Sequence, residues 1–235
     1  MPRTVRIDPH VHTRASSDSS ASVEAVLAAA RSAGIHAIAI TDHDTMRGAR
    51  RAVRIASAAD PVVVPGVEVS SADGHVLGLG VARAPAPGLS LRETVERIRE
   101  SGGIAVIPHP FQRSRHGVGR SSIVDCDGIE VHNAMAMTGL QNRRAELFAR
   151  RAGLPMLGGS DAHHPSSVGL AYTEVSLPGN VTTPTAEYIV AGIGAGETAV
   201  VGGRTSVRRY LETFVRNAHQ HALDRLAAVR GAARS

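Results

Sequence analysis

The sequence predicts an α/β fold built on a parallel sheet, at a length ordinary for an α/β barrel. Short Val- and Ile-rich runs alternate with segments of helical period, the pattern of successive βα units. The core must be aliphatic, because 43% of the 235 residues are apolar while only 3% are aromatic and none is Trp. Histidines and carboxylates recur where the apolar runs end, and in a parallel barrel those ends share one rim.

Taken in order, Val5 and Ile7 open a strand that delivers His10 and His12, two residues apart and on one face of an extended chain. A polar loop from Arg14 to Ser20 carries Asp18. Ser22 caps a helix with Val23, Val26, Leu27 and Ala30 at helical spacing, and Gly34 ends it. Residues 37–41 read as a buried strand leading into Asp42-His43-Asp44, followed by a helix over about 47–59. A strand at 62–67 delivers Glu68, and His75 opens the next apolar run, 76–80.

Beyond the loop 83–89, Ser90 and Glu93 have the spacing of a capping box and open a helix reaching about 101. The strand 104–107 delivers His109, and an Arg- and Ser-rich loop runs from 111 to about 122. A strand at 128–131 ends at His132-Asn133, and a helix over about 138–152 is closed by Gly153. Residues 155–158 lead to Asp161 and His163. A strand near 173–176, a helix at about 185–195, a strand at 198–201 and a helix from about 206 complete a single domain spanning 1–235.

Composition excludes several functions. No run of about 18 apolar residues is present, so no membrane partner is expected. The first residues, Met-Pro-Arg-Thr, lack the apolar segment of a signal peptide, and the single Cys126 fits a reducing compartment, so a cytoplasmic location is expected. All 26 basic residues are arginine. The absence of lysine excludes a P-loop lysine, a Schiff base and a carbamylated lysine bridging two metals. The net charge of +5 favours anionic substrates.

His10, His12, His43, Glu68, His109, Asp161 and His163 each follow a predicted strand, whereas His75 starts one. A cluster of imidazoles and carboxylates without thiolate suits Mn²⁺, Fe²⁺ or Zn²⁺. His36, His116, His132, His164, His219 and His221 are read as non-ligands, with His132 and His164 able to line the pocket.

Six stretches, Asp8-Pro-His-Val-His-Thr, Thr41-Asp-His-Asp-Thr, Pro65-Gly-Val-Glu-Val-Ser, Gly74-His-Val-Leu-Gly, Pro108-His-Pro-Phe and Gly159-Ser-Asp-Ala-His, together resemble the polymerase and histidinol phosphatase (PHP) superfamily. They span residues 8–163, with 164–235 left to complete or cover the barrel. The resemblance implies a distorted (β/α)7 TIM-like barrel with its metal site at the C-terminal rim of the strands, and three divalent metal ions. It assigns His10, His12, Glu68 and Asp161 to the first ion, Glu68, His75 and His109 to the second, and Asp18, His43 and His163 to the third. Asp18 stands in Ser-Ser-Asp-Ser, where relatives usually have glycine after the aspartate.

The implied activity is metal-dependent hydrolysis of a phosphoric ester by a hydroxide made on the metals, with Glu68, Asp161 and His163 at the catalytic centre. Arg113 and Arg115 either clamp the phosphate or form a solvated basic loop; Arg120 and Arg204 are weaker candidates, and His164 is a candidate substrate contact. Asp42 and Asp44 are expected to support ligands rather than bind metal. A small phosphorylated metabolite (a nucleotide, sugar or amino-alcohol phosphate) is the expected substrate. Alternatives are a 3′–5′ exonuclease or proofreading module, a non-catalytic PHP domain, and a mononuclear amidohydrolase. With three Phe and three Tyr, a stacking groove for nucleic acid is poorly supplied, and nucleic acid is not expected as a partner.

Overall fold

The computed structural model describes residues 3–123, 125–136 and 138–203, apart from the side chain of Arg113. The helix expected from about 206, with Arg204, His219 and His221, lies outside the described residues. Strands β1 (Arg3–Val11), β2 (Ala37–Ile40), β3 (Val62–Ser71), β4 (Gly74–Leu79), β5 (Ile104–Ile107), β6 (Gly128–Asn133), β7 (Met156–Gly159), β8 (Ala171–Leu177) and β9 (Thr198–Gly202) form one sheet. Helices α1 (Val23–Ser32), α2 (Arg47–Ile55), α3 (Leu91–Glu100), α4 (Gly139–Ala152) and α5 (Ala186–Gly194) pack on it.

Local chemistry sets the helix ends. The Ser22 hydroxyl accepts from the Ala25 amide, Ser90 and Glu93 form the reciprocal capping box, and Gly153 takes the left-handed conformation at φ 65° after α4. Helix α2 stops at Ile55, short of the expected 59, where Ala56 turns extended and the Asp60 carboxylate accepts from the Ser57 amide and hydroxyl.

Strands β1 to β7 follow chain order around the sheet. The ring closes where the chain beyond β7 pairs with the end of β1: Val11 bridges Ala162 in parallel, and the His12 amide donates to the Ala162 carbonyl at 2.9 Å. The lower half of β1 pairs instead with β8, and β9 follows on β8. The Thr173 hydroxyl of β8 reaches across to β7, accepting from the Gly158 amide at 2.9 Å and donating to its carbonyl at 3.0 Å.

The expectation of a parallel sheet needs correction. β4 runs antiparallel between β3 and β5, and β8 runs antiparallel to β1. Only Ala72 and Asp73 separate β3 from β4, too few for a parallel crossover, so the two strands make a hairpin. The nine strands make a nearly closed barrel but not a run of βα repeats: no helix separates β3 from β4, and among the described residues only a three-residue 3-10 turn lies between β5 and β6.

Alternate strand residues face opposite layers. Ala37 and Ala39 of β2 join Ile7, Val64, Leu79, Val106 and Leu157 inside the barrel, while Ile38 and Ile40 pack against α1 and α2. Ile189 and Ile193 of α5 join the interior cluster with Val5, Val62 and Ile104, near the strand starts, and close the end opposite the histidine-rich rim.

Asp8 is the polar tie across the closure. Its buried carboxylate accepts from the Ser160 amide at 3.0 Å, the Gly169 amide at 2.8 Å and the His10 amide at 3.4 Å, joining β1 to the chain after β7. Burial pushes its carboxyl up to about 6, against the lowering effect of these hydrogen bonds. Asp8→Ala leaves those donors buried without acceptors. The expected cost is roughly 3 kcal/mol, read as a lower urea midpoint of the metal-free protein at unchanged m-value.

Candidate metal centre

All nine sequence-proposed ligand residues meet at one rim. β4 explains the apparent exception: because it runs antiparallel, its first residues lie beside the C-terminal ends of its neighbours, and Ser70 pairs with His75. His75 therefore reaches the same rim by starting a strand.

A register irregularity in β1 between Asp8 and Val11, spanning Pro9, sets the height of His10 and His12. With one extra residue, Ile7 faces the barrel interior and His10 tops that interior three residues later. Both imidazoles are fully buried. His10 Nε2 and His12 Nε2 stand 3.1 Å apart, and each lies 3.2 Å from Glu68 Oε2. Asp161 Oδ1 is 3.6 Å from His10 Nε2 and 3.5 Å from His12 Nε2. A tetrahedral ion with bonds of about 2.0–2.2 Å requires ligand–ligand edges of roughly 3.3–3.6 Å, so these four atoms have the span of one coordination shell.

Glu68 turns its other oxygen the opposite way. Oε1 lies 2.9 Å from His75 Nδ1 and 3.2 Å from His109 Nε2. A third group forms at the outer edge, where Asp18 Oδ2 is 2.8 Å from His163 Nε2 and 3.2 Å from His43 Nε2. His43 Nδ1 also lies 3.5 Å from Glu68 Oε2 and links this group to the first. His12, Asp18, His43 and His163 together, and His43, Glu68 and His75 together, each have the mutual spacing of a metal-ligand set.

The electrostatics demand positive charge. Burial disfavours the charged form of His10, but Asp161, Glu130 and Glu68 outweigh it and hold the imidazole pKa well above its ordinary value. His12 is likewise raised, to about 10, as Asp161 and Glu68 overcome burial. Burial works against ionised Glu68, yet His43, His75 and His10 hold it well below the usual carboxylate range. Asp161 is lowered against burial by Arg115 and His10, and Asp18 by His163. Burial, aided by the nearby Arg115 charge, pushes the His109 imidazole pKa below its ordinary value against the pull of Glu68, the direction that favours a metal-binding lone pair.

The donor set fits divalent cations. Asp18 Oδ1, Asp161 Oδ1 and His109 Nδ1 are buried without a hydrogen-bond partner among the described residues, and His75 Nδ1, although 2.9 Å from Glu68 Oε1, makes no well-directed hydrogen bond. His163 Nδ1 donates to the Asp161 carbonyl at 2.8 Å, which leaves Nε2 as its lone-pair nitrogen. His109 and Asp161 adopt φ of 29° and 52°, strained conformations concentrated at the rim.

Asp42 and Asp44 serve as supports. Asp42 accepts from the Thr13 amide at 2.6 Å and from its hydroxyl, and Gly48 leaves room for that carboxylate. Asp44, at φ 54°, accepts from the Ser70 amide at 2.7 Å. Of the proposed substrate contacts, Arg115 is engaged with Asp161 and Asn133. His164 is exposed, and its Nδ1 accepts from the Ser166 amide. The side chain of Arg113 lies outside the described part. His132 Nε2 meets the Gly203 carbonyl at 2.9 Å, away from the ligand nitrogens.

Sequence reasoning missed Glu130 and Asn133. Glu130 Oε1 lies 3.0 Å from His10 Nδ1, and Asn133 Nδ2 donates to Glu130 Oε2 at 2.8 Å and Asp161 Oδ2 at 2.9 Å. Three positions apart, they belong to opposite faces of a regular strand. The irregularity in β6 between Glu130 and His132 turns both inward. A charged residue within the apolar run Gly-Ile-Glu-Val was the available signal.

Comparison with known proteins bears on the family and the fold. An uncharacterised protein of Methanocaldococcus jannaschii is 34% identical over 152 residues, covering 60% of this chain and 89% of that protein. The phosphoribosyl 1,2-cyclic phosphate 1,2-diphosphodiesterase of Eggerthella lenta is 39% identical over 97 residues, 38% of this chain and 37% of that enzyme. Among solved structures, a two-domain protein of Bacteroides vulgatus containing a predicted PHP-like metal-dependent phosphoesterase superposes with a TM-score of 0.71 at 17% identity, covering 91% of this chain and 70% of that one. The lesion-specific endonuclease Q of Pyrococcus furiosus superposes at 0.62 and 16% identity, covering 84% and 58%. The PHP-associated family model matches residues 139–198, and the PHP domain model matches residues 8–146. With more than half of its length matched and the histidine–carboxylate rim assembled, the chain belongs to the PHP domain family.

Proposed function

We propose that this protein is a metal-dependent phosphoesterase that hydrolyses a small phosphorylated metabolite at a centre of three divalent ions. The observation that carries the reading is Glu68. Its two oxygens face separate sets of histidines, the arrangement of a carboxylate bridging two cations. His10, His12, Glu68 and Asp161 would hold one ion, Glu68, His75 and His109 a second, and Asp18, His43 and His163 a third. Bound Mn²⁺, Fe²⁺ or Zn²⁺ would supply Lewis acidity, an activated water and charge neutralisation at phosphorus.

The chain's own residues set the approach. His10 and His12 side chains are 0% exposed, whereas His43 is 23% and His75 13% exposed, so the open side of the cluster lies over the second and third groups. An ester entering there meets those groups first. Glu68, Asp161 and His163 fix the ligand frame beneath it. Because the His164 Nδ1 accepts from Ser166, its Nε2 carries the proton and can donate to a bound anion.

Substrate size follows from the loops. Between His75 and His109 the chain contains only the rest of β4, α3 and β5 with short connections, and no inserted domain. A compact ester fits such a rim, and the likeness to a phosphodiesterase named for a small cyclic phosphate supports it. The endonuclease Q superposition, at 16% identity, concerns the fold and favours no polynucleotide substrate here.

Three outcomes are expected. Elemental analysis of protein equilibrated with excess Mn²⁺ should give more than two ions per chain; a ceiling of one sinks the proposal, and a ceiling of two removes the third site. Glu68→Gln and Asp161→Asn should each lower kcat by several orders of magnitude while the circular dichroism spectrum is retained, because a neutral amide does not offset repulsion between cations. A mononucleotide, a sugar phosphate, an amino-alcohol phosphate and an oligonucleotide compared under one metal condition should show the highest kcat/KM for a small ester. Processive digestion of the oligonucleotide with the small esters inert would establish the exonuclease reading instead.

A further inference from the structure

We infer that Glu130, with Asn133 and Arg115, is a positioning unit that makes His10 and Asp161 competent to bind metal; the inference rests on the metal reading above. Glu130 is fully buried and accepts through both oxygens. A carboxylate cannot donate, so His10 Nδ1 gives its proton to Glu130 Oε1 at 3.0 Å. The lone pair of His10 is thereby assigned to Nε2, the nitrogen that faces His12, Glu68 and Asp161. The second oxygen of Glu130 accepts the His109 amide at 2.8 Å and so holds the strained backbone that presents the His109 ring.

Asn133 extends the unit to β7. Its amide nitrogen donates to Asp161 Oδ2, and Arg115 Nη2 lies 2.5 Å from the same oxygen while Nη1 donates to Asn133 Oδ1 at 3.3 Å. Asp161 Oδ2 is thus occupied, and Oδ1 alone is turned to the histidines. Asn133 is itself fixed from both sides: its Oδ1 accepts the Met135 amide, and its backbone pairs with the Asn142 side chain of α4.

Two backbone features serve this arrangement. The β6 irregularity puts Glu130 and Asn133 on one face. Gly159 of β7 passes where a Cβ would overlap Glu130 Oε1 and crowd His10 Cβ at 2.9 Å, so glycine there keeps the Glu130–His10 contact open. One strand thereby orients ligands contributed by β1, β5 and β7. Arg115 acts as the counter-charge of Asp161.

Glu130→Gln tests the assignment. The amide NH₂ must face either the His10 Nδ1–H or the donors of His109 and Asn133, and relief of the first clash moves the His10 proton to Nε2, where it blocks the ligand position. Titration calorimetry with Mn²⁺ should show a roughly 10–100-fold weaker tightest site, with the melting temperature of the metal-free protein little changed. Long-range ¹H–¹⁵N spectra of histidine-labelled protein loaded with diamagnetic Zn²⁺ should show His10 with its proton on Nδ1 and Nε2 unprotonated in wild type, and loss of that pattern in the variant. Arg115→Ala, close to the surface and independent of Glu130 folding, should weaken the same site, and Arg115→Lys should not restore it, because one ammonium cannot reach both Asp161 and Asn133. Wild-type affinity and tautomer in Glu130→Gln, or a fall in melting temperature alone, would overturn the inference. A raised KM with unchanged metal affinity in Arg115→Ala would instead make that residue a phosphate clamp. No ion bound by wild-type protein would overturn the metal reading itself.

Discussion

The rim depends on a buried carboxylate surrounded by imidazoles. Glu68 is 1% exposed, and its ionised form survives burial because five histidines approach its two oxygens within 3.5 Å. Removing such a charge from water costs several kcal/mol unless opposite charge is held close. The histidines cannot supply that charge and be neutral ligands at once. A divalent cation between them resolves the conflict, and the unpartnered Oδ1 atoms of Asp18 and Asp161 mark further places where positive charge is wanted.

The barrel accommodates this cluster through departures from regularity. The β3–β4 hairpin sets an antiparallel strand into the ring and brings His75 to the rim from a strand start. Extra residues in β1 and β6 change which side chains face inward. His109 and Asp161 turn through positive φ as the chain leaves β5 and β7. Each departure carries a small local cost, and aliphatic packing on both faces of the sheet holds them in place.

The graded exposure of the site links structure to chemistry. The enclosed His10 and His12 stand at the end of β1, where β2 on one side and the chain after β7 on the other exclude water. The more open ones, His43 and His75, border the exposed side of the cluster. The far end of the barrel, plugged by α5, offers no comparable cluster of metal-competent groups among the described residues.

Much was legible in the chain itself. Apolar runs and capping residues located nearly every described element, because helix caps and strand periodicity are local effects: Ser22, the Ser90–Glu93 box and Gly153 act where they stand. Eight of the nine metal-competent residues were legible because each adjoins an apolar run, whereas Asp18, in a polar loop, was reached only through the family resemblance. Only the tertiary structure decided that β4 and β8 run antiparallel, that Glu130 and Asn133 face the same way, and that Arg115 pairs with Asp161. Strand direction and side-chain facing depend on which strands become neighbours and on single-residue shifts in their register, and those are properties of the closed sheet rather than of any one segment.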